Sequence, residues 1–501
     1  MWFVELRRIV AFVPPSRNSG FDPGSLHGSV IAIPLLERME RETATTLIPV
    51  VIDLNYRYPS GLDAAAAAVR VAVNLAKAQS RQRKREVASD RFAQYVFAWL
   101  TAASIRRVVS IDRERAQLEG GNGVPAIYRI WPDFEIHALI NKSAHTVKAN
   151  AARTSFAATG KGIVWAVLDS GIDAAHPHFT MHDNLSVTAP LQHRDFTDLS
   201  GKTSATTDDY GHGTHVAGII AGETKTATVV RPQRDERNDV TYLVEQVEGM
   251  AGMAPMCRLV SYRVLNERGD GNQSAIIAAL QHINEVNANG RDLKIHGVNL
   301  SVGYSFDPEW FACGQSPVCV EVSRLVRSGV VVVVAAGNTG YGYNKDFSEE
   351  DFVAAGLDLT INDPGNAELA ITVGSTHRDM PHRYGVSYFS SKGPTGDGRA
   401  KPDLVAPGER ILSCAAGSFR DIAAAKPNVP ASVDYLEYSG TSMAAPHVSG
   451  AIAAFLSIRR EFIGQPEEIK RIFTSTATDL GRVRDFQGSG LVDVMRAIQS
   501  V

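Results

Sequence analysis

From about residue 160 onward, short and almost wholly apolar runs alternate with segments whose apolar residues recur at helical spacing. Strands this apolar have both faces buried, which is typical of a parallel sheet covered by helices on its two faces. The alternation therefore predicts a large α/β domain, in which functional groups gather at the carboxyl ends of the strands. The clearest strand-like runs are IVWAVLD, RLVSYRVL, GVNLSV, VVVVVAAGN and AELAITVGS.

The remaining regions of the chain differ in pattern. With 501 residues, the chain is longer than one ordinary core, so several domains are expected. Residues 46–142 read as strand, helix, strand, helix and strand, which predicts a small α+β domain. Residues 1–45 are expected to be irregular, and residues 143–159 are expected to link the small domain to the large one, residues 160–501. Residues 223–250 interrupt the α/β alternation with polar sequence and predict a surface insertion, for example a hairpin.

Charge and hydropathy exclude several kinds of partner. The net charge is −3, and no basic cluster is interleaved with aromatic residues, so nucleic acid is not an expected partner. No stretch reaches roughly 18 uninterrupted apolar residues, so no membrane span is predicted. The first residues, MWFVELRRIVAFVPP, lack the pattern of a secretory signal, which favours a cytoplasmic protein over one exported by an unrecognised route.

The four cysteines are few for this length and fit a reducing compartment. Cys313 and Cys319 are close enough in sequence to close a small loop. Cys257 and Cys414 are expected to be ordinary buried thiols.

Three polar residues stand where apolar segments begin or end, and each has an ordinary structural interpretation. Asp169 follows an apolar strand, where an aspartate is commonly a turn former or a helix cap. His212 opens a helix between two glycines; His215 raises the option of a metal pair, but the HExxH pattern and a third ligand are absent. Ser442, in YSGTSMAAPHVSG, lies at a helix start that places Pro446 in the first turn, so its hydroxyl could be an N-cap.

Together the three residues supply a carboxylate, an imidazole and a hydroxyl, in the chain order Asp, His, Ser. A serine hydroxyl attacks an amide only if an imidazole takes its proton, and the imidazole needs a carboxylate to fix its tautomer. Small residues around Ser442 would let an extended peptide approach. Asn338, after a wholly apolar strand, is either a turn residue or an amide donor that stabilises an oxyanion beside the Ser442 backbone N–H.

The segments VLDSGID, GHGTHVAG, AAGN and SGTSMAAPHVSG, in this order, resemble the signature segments of the subtilisin-like serine proteases. NLSVG, DPGNA, AITVGS, FSSKGP and KPDLVAPGERI extend the resemblance over roughly residues 160–494. It implies a subtilisin-like parallel sheet of about seven strands with helices on both faces, and a serine endopeptidase that acts on polypeptides. It also implies that Asp169 orients and stabilises the imidazolium, that His212 is the general base and then the acid, that Ser442 is the nucleophile and that Asn338 donates to the oxyanion.

The resemblance further implies where a substrate binds. Ser301, Val302 and Gly303 would form an edge strand that pairs with the peptide backbone and walls the first pocket, and Gly269 and Gly271 would form the opposite rim. Backbone pairing gives affinity with little demand on the substrate sequence. No charged residue in these segments is directed convincingly into the pocket, which predicts a broad or apolar preference before the scissile bond.

The small α+β domain of residues 46–142 stands where this family carries its propeptide. The resemblance implies that the domain assists folding and inhibits the enzyme as an intramolecular partner. Residues 140–152 would then lead towards Ser442, and self-cleavage is expected between about Leu139 and Ala152.

No cofactor is needed for the implied chemistry, and no metal-ligating residue is assigned. A structural calcium ion stays open, with its ligands unknown, since many members of the family bind one. His178 replaces the aspartate of the family's usual HPDF segment, and it is expected at the surface or near the groove.

Other functions predict other sequence features. A non-catalytic protein of the same fold that binds polypeptides would be favoured by loss of one of the four catalytic candidates, and none is missing. An esterase-type α/β hydrolase would show GxSxG and the chain order Ser, Asp, His, whereas this sequence has GTSMA and the reverse order. A metal hydrolase would lose activity with a chelator and survive a serine-directed inhibitor.

Overall fold

The structure of the protein is a computed structural model, and the chain forms two compact units. One unit contains the described residues up to Pro132, and the other contains those from Asp133 to Val501. The described residues are 30–79, 94–118, 123–133, 135–138, 146–197, 203–234, 240–305, 313–345, 352–426, 428–430 and 433–501.

Among its described residues, the smaller unit has a three-stranded antiparallel sheet and three helices. Its elements are α1 (Ile33–Arg41), β1 (Ile48–Leu54), α2 (Gly61–Gln79), β2 (Tyr95–Leu100), α3 (Ala102–Leu118) and β3 (Ile127–Pro132). The strand β1 is central and pairs with β2 on one side and β3 on the other. In α2, buried residues recur at helical spacing, as Val69, Val73 and Ala76 illustrate, because this stripe of the helix belongs to the core that also contains the strands.

The helix α1 corrects the expectation that residues 1–45 are irregular. Leu35 and Met39 lie one helical turn apart, and both are buried in the core of the smaller unit. A proline in the first turn of α1 costs no hydrogen bond, because the first N–H groups of a helix have no intrahelical acceptor. Residues 1–29 lie outside the described residues.

The larger unit contains sixteen named strands among the described residues. In chain order they are β4 (Glu135–Ala138), β5 (Val164–Asp169), β6 (Arg194–Asp195), β7 (Glu223–Arg234), β8 (Val240–Ala251), β9 (Arg258–Arg263), β10 (Asp270–Asn272), β11 (Gly297–Leu300), β12 (Val302–Gly303), β13 (Val331–Ala335), β14 (Tyr341–Lys345), β15 (Phe352–Gly356), β16 (Ile371–Thr376), β17 (Leu404–Pro407), β18 (Ile411–Cys414) and β19 (Tyr435–Tyr438).

The larger unit also contains the remaining α-helices of the described chain. They are α4 (Ala149–Phe156), α5 (His212–Ile220), α6 (Gln273–Val286), α7 (Pro317–Arg327), α8 (Pro381–Tyr384), α9 (Gly417–Ala424), α10 (Thr441–Ile458), α11 (Pro466–Ser475), α12 (Arg484–Gln487) and α13 (Val494–Gln499).

A seven-stranded parallel sheet with helices around it forms the centre of the larger unit and confirms the predicted fold class. Its strand order is β17, β16, β13, β11, β5, β9 and β6. Every residue of β13, Val331–Ala335, is buried, which is why the sequence of this strand is continuously apolar rather than alternating. The carboxyl ends of the parallel strands therefore meet at one edge, where Asp169 ends β5.

The helix α10 is the core helix of this unit. It contacts β11, β13, β16 and β17 of the sheet as well as α5. By length and composition, it is the one helix of the described chain apolar enough to cross a membrane, but 89% of its apolar window is buried inside the protein. A helix enclosed on all sides by a protein core is apolar all round for that reason.

The polar segment that interrupts the α/β alternation forms a long antiparallel hairpin. The strands β7 and β8 pair from Glu223 with Ala251 to Arg234 with Val240. The hairpin extends a four-stranded sheet of order β18, β19, β7 and β8. Ala227 and Val229 of β7 are buried in the main core, so one face of the hairpin packs against the domain.

Residues 147–158, predicted as part of a linker, belong to the core of the larger unit. Val147, Ala149, Ala152 and Ala158 are buried in the same cluster as the central strands and α10. Lys148 forms an ion pair with the buried Asp493. The expectation of a linker is therefore wrong for that stretch. Small apolar residues at helical spacing allow α4 to pack closely against the core of the larger unit. Residues 143–145 of the predicted connection lie outside the described residues.

Candidate active site

Asp169 and His212 are brought together by the end of β5 and the beginning of α5. His212 Nδ1 lies 2.7 Å from Asp169 Oδ1, and both side chains are buried, with exposed fractions of 0% and 1%. The backbone N–H of Ser170 donates to the same carboxylate oxygen at 2.8 Å. Because a carboxylate accepts here, the ring proton belongs on Nδ1, which leaves Nε2 as the basic nitrogen.

Asp208 anchors both of these segments, although no sequence motif assigned it a role. Its buried carboxylate accepts hydrogen bonds from the Ser170 hydroxyl (2.8 Å), the Gly211 N–H (2.8 Å), and the Thr214 N–H (2.8 Å) and hydroxyl (2.6 Å). The Gly213 N–H donates to the Ser170 hydroxyl at 2.9 Å. Burial raises the pKa of Asp208, although these hydrogen bonds favour its ionised form. Gly211 is the N-cap residue of α5, so Asp208 is not at the capping position that a sequence pattern would reveal.

Ser442 lies in the first turn of α10 and is buried. Gly440 is the N-cap residue and makes no side-chain capping bond, so the N-cap interpretation of the Ser442 hydroxyl is wrong. The Ser442 hydroxyl instead donates to the backbone carbonyl of Ser301 at 3.0 Å. Both Ser442 and His212 are described, and no hydrogen bond joins them in this structure.

Pro446 lies inside α10 rather than in its first turn, which corrects the sequence prediction. A proline has no N–H, so the carbonyl of the residue four positions earlier, Ser442, loses its helical donor. The Ser301 hydroxyl supplies the missing hydrogen bond to the Ser442 carbonyl, at 2.7 Å. The proline is tolerated because β11 and β12 bring this outside donor to the helix.

A chain of neutral groups continues from Ser301 into the core. The Asn299 amide donates to the Ser301 hydroxyl at 2.9 Å, and the Ser449 hydroxyl donates to the Asn299 side-chain oxygen at 2.8 Å. All three side chains are buried. The chain ties the first and third turns of α10 to β11 and to the segment that joins β11 and β12.

Asn338 follows β13 and is held by the start of α10. Its side-chain oxygen accepts from the Thr441 N–H at 2.8 Å and the Thr441 hydroxyl at 3.1 Å. The Thr441 hydroxyl also accepts from the Gly337 N–H at 3.1 Å. These contacts orient the Asn338 amide, because its oxygen faces Thr441 and its NH₂ group is directed the other way.

The two predicted edges of the substrate groove flank the backbone of β4. On one side, β10 pairs antiparallel with β4, from Asp270 with His137 to Asn272 with Glu135. On the other side, β12 pairs with β4, as Val302 with Ala138 and Gly303 with His137. The protein's own chain therefore lies between the two segments that the sequence assigned to a peptide substrate.

Two of the predicted groove glycines have no room for a side chain. A Cβ atom on Gly303 would lie 2.6 Å from the Asp363 carbonyl oxygen. Gly269 has a φ of +80°, and a Cβ atom there would lie 2.5 Å from the Tyr210 ring. Gly271 lies within β10, and Val302 and Gly303 form β12. Gly269 directly precedes β10, and Ser301 directly precedes β12.

His178 is in the core, and the expectation of a surface or groove position is wrong. Its Nδ1 lies 2.9 Å from the Tyr435 hydroxyl, and its Nε2 lies 3.2 Å from the Gly218 carbonyl oxygen. Burial, with a smaller contribution from His176, lowers the pKa of His178 to about 3, so the ring is neutral. Gly222 makes room for the imidazole, because a Cβ atom there would lie 2.4 Å from the ring.

The histidine and the cysteines that the sequence raised as possible metal or disulfide residues are all buried. Within those residues, no group of three or more His, Cys, Asp or Glu side chains could hold a metal ion. His215 is buried, with its Nε2 3.3 Å from the Leu436 carbonyl oxygen. All four cysteines are free and buried, so Cys313 and Cys319 do not form a disulfide in this structure.

Comparison with known proteins identifies related chains. The sequence model of the subtilase family, peptidase S8, matches residues 160–490. Serine protease AprX of Bacillus subtilis is 28% identical over 74% of this chain and 74% of its own length. Subtilisin E of Bacillus subtilis is 28% identical over 68% and 67%, respectively. A protein of Paenibacillus polymyxa named intracellular serine protease is 30% identical over 66% of this chain and 79% of its own.

Proposed function

The chain belongs to the subtilase family and is a serine-type endopeptidase; we propose that it cuts polypeptides with Asp169, His212 and Ser442 as the catalytic triad. The observation that carries the proposal is the buried 2.7 Å contact between His212 Nδ1 and Asp169 Oδ1. Such a contact prepares the opposite nitrogen, Nε2, to accept a proton from the nucleophile.

In the proposed acylation step, Ser442 Oγ attacks the carbonyl carbon of the scissile peptide while His212 Nε2 takes the hydroxyl proton. Asp169 stabilises the imidazolium that forms and keeps the ring in the required tautomer. His212 then gives the proton to the departing amine. In deacylation, His212 takes a proton from water, the water oxygen attacks the acyl-enzyme, and the proton returns to Ser442 Oγ.

The oxyanion of each tetrahedral intermediate would be stabilised by two donors. One is the NH₂ group of Asn338, whose opposite end is held by Thr441. The other is the backbone N–H of Ser442, at the start of α10, where N–H groups lack intrahelical acceptors and the helix dipole favours negative charge. Donors that are oriented before the reaction need no rearrangement as the charge develops.

Substrate binding would also release the nucleophile. The Ser301 carbonyl, which holds the Ser442 hydroxyl, lies directly before β12. A substrate backbone N–H that pairs along this edge would compete for the same carbonyl oxygen. The Ser442 hydroxyl would then turn towards His212 when a peptide is present.

The position of β4 supports the proposal that the N-terminal domain is an intramolecular inhibitor. The chain leaves the smaller unit at Pro132, and β4 then lies between β10 and β12, where a substrate would pair. Backbone pairing of this kind depends little on side chains, which fits a broad or apolar preference before the cut.

The sequence predicts self-cleavage between about Leu139 and Ala152, and the same contacts support a position within residues 139–145, which lie outside the described residues. Residues 135–138 are paired as β4, and residues from Val147 onward belong to the core. N-terminal sequencing of an active preparation should therefore find a new terminus between residues 140 and 146. An active preparation that keeps Met1 as its terminus would refute self-processing.

We place the enzyme in the cytoplasm. The four free thiols fit a reducing compartment, and one relative is named an intracellular serine protease, whereas others are named subtilisins. Cell fractionation with an antibody against the larger unit tests this placement, and recovery of the protein in the culture medium without lysis would contradict it.

Hydrolysis of unfolded casein by the parent protein and by Ser442→Ala tests the catalytic mechanism. The parent should lose activity to a serine-directed phosphonate or sulfonyl fluoride, and Ser442→Ala should lack activity before any inhibitor is added. Ser449→Ala is the matched control, since it removes a hydroxyl from the same helix without touching the proposed nucleophile. Equal activity of the parent and Ser442→Ala would refute the mechanism.

A further inference from the structure

A cavity of about 470 Å³ lies beneath the β7–β8 hairpin, wholly within the larger unit. Protein interiors contain few voids larger than a water molecule, and ligand sites typically begin at roughly 300 Å³. The last turn of α5 lines the cavity through Gly218 and Ile219. Since α5 begins at His212, the cavity lies about 10 Å along the helix from the catalytic histidine, at 1.5 Å per residue.

The cavity wall combines apolar surface with neutral polar groups. Ile219, Val247, Met253 and Leu412 contribute apolar side chains from α5, the hairpin, the segment after it and β18. His178 is also part of the wall, but its two ring nitrogens already contact Tyr435 and Gly218, and burial keeps the ring neutral by lowering its pKa to about 3. The interior therefore suits an apolar body rather than a charged group.

Two arginines that line the cavity, Arg231 and Arg153, have N–H groups that are not fully used in hydrogen bonds within the described part of the protein. Arg231 Nε is buried and has no hydrogen-bond acceptor among the described residues. Arg231 Nε forms an ion pair with Glu245 across 3.6 Å, which is longer than a hydrogen bond. Arg153 makes one side-chain contact, to Asn150 at 3.5 Å. Both arginines are partly exposed, so a ligand can reach them from solvent.

The acidic groups of the same wall are already paired. Glu223 lies 2.8 Å from His182 Nε2, and Asp379 lies 2.7 Å from Arg378 Nε. Arg378 is further bound to the buried Glu437 at 3.0 Å. Among the charged side chains that line the cavity, three arginines (Arg153, Arg231 and Arg378) stand against two acidic residues (Glu223 and Asp379), so the wall carries one excess positive charge.

We propose that this cavity binds a small organic carboxylate with an apolar body. The carboxylate pairs with Arg231 and Arg153, since guanidinium groups match carboxylates in shape and charge. The alkyl portion lies against Ile219, Val247 and Leu412. No residue of the proposed catalytic triad lines this cavity, so the site is separate from the peptide groove.

Isothermal titration calorimetry on the full-length Ser442→Ala protein tests the proposal without interference from autolysis. Three probes separate the two features of the ligand: octanoate has both charge and apolar body, octanol has only the body, and acetate has only the charge. Octanoate should bind with one saturable site per chain, and octanol and acetate should bind at least about tenfold more weakly.

Arg231→Gln and Arg153→Gln should each weaken octanoate binding by about tenfold or more, because each removes a charge-assisted hydrogen bond. Arg420→Gln is the matched control: Arg420 has a comparable 3.6 Å contact, to Asp421, and does not line the cavity. Far-UV circular dichroism establishes that every variant is folded. Absence of saturable octanoate binding, equal binding of octanol, or equal losses in the Arg231 and Arg420 variants would overturn the proposal.

Discussion

The two helix starts that carry the catalytic candidates, α5 at His212 and α10 at Ser442, are held in different ways. One buried carboxylate, Asp208, collects the hydrogen bonds around the start of α5. The start of α10 is held by neutral groups: the hydroxyl of Ser301, the amide of Asn338, and Asn299 behind Ser301.

The difference follows from the charges that the proposed reaction creates. An imidazolium forms at His212, and a negative anchor beside that helix start favours it. An oxyanion forms at the start of α10, and a carboxylate there would oppose it, so neutral anchors are suitable. Loss of a buried charged anchor also costs more than loss of one neutral hydrogen bond. The two helix starts should therefore differ in their tolerance of substitution.

The largest effect should come from removing the reacting groups at the two helix starts. Ser442→Ala and His212→Ala should each lower kcat by about 10⁶-fold, a magnitude that belongs to subtilisin and is carried over to this relative. The double variant should be no worse than either single one, because the two groups act as a unit. Stopped assays on a peptide anilide measure this, and multiplicative losses would show that the two helix starts act independently.

Asn338→Ala should lower kcat by about 10²–10³-fold with little change in KM, again a magnitude carried over from subtilisin. The reason is that the oxyanion exists only in the transition state and intermediates. Thr441→Val, which removes the hydroxyl contact but keeps the N–H contact to Asn338, should lose less. A rise in KM at unchanged kcat would instead assign Asn338 to substrate binding.

Asp208→Asn should destabilise the larger unit by about 3 kcal/mol and lower kcat by roughly 10- to 100-fold, because an amide cannot accept all four hydrogen bonds. Urea unfolding in the Ser442→Ala background measures stability, and steady-state kinetics of the single variant measure activity. Asp421→Asn is the control, since Asp421 is 73% exposed, its partner Arg420 also lies at the surface, and its effect should stay within about 0.5 kcal/mol. Equal effects of the two variants would remove Asp208 from its anchoring role.

The stability of the larger unit should also decrease in acid, because the buried His178 contacts the Gly218 carbonyl of α5. The pKa of His178 is about 3 in the folded protein and near 6.5 in the unfolded chain, so the unfolded state binds more protons between these values. Stability is fully present above pH 6.5 and is lost as the pH falls from 6.5 towards 3. His178→Gln should reduce the loss between pH 7.5 and 5 by about 2 kcal/mol, as measured by urea unfolding. An unchanged loss would contradict a neutral His178.

The smallest effect should come from the far end of the neutral chain. Ser449→Ala removes one donor to Asn299 and should cost about 1 kcal/mol of stability and less than about fivefold in kcat. Comparison with Asp208→Asn under the same conditions tests the contrast directly. A loss at Ser449 as large as that at Asp208 would show that neutral anchors are no more tolerant than the charged one.

The sequence predicted the features that depend on local pattern. The alternation of apolar runs with helical segments predicted a parallel sheet covered by helices, and the family resemblance implied about seven strands. The sequence also placed Asp169 at the end of a strand and His212 at the start of a helix, where the structure has them. Helix α1 was missed because its helical stripe is short and follows a proline- and glycine-rich stretch.

Only the tertiary structure decided the features that depend on partners distant in sequence. The burial of His178 needed the space left by Gly222, and the place of Pro446 inside α10 needed a hydroxyl from Ser301. Likewise, β4 takes its position from two strands more than 130 residues further along the chain. The sequence by itself determined which chemistry this protein can perform, since residue types and their spacing are local. Which groups hold that chemistry in place depended on long-range hydrogen bonds, because no local pattern records the distance between residues that meet only on folding.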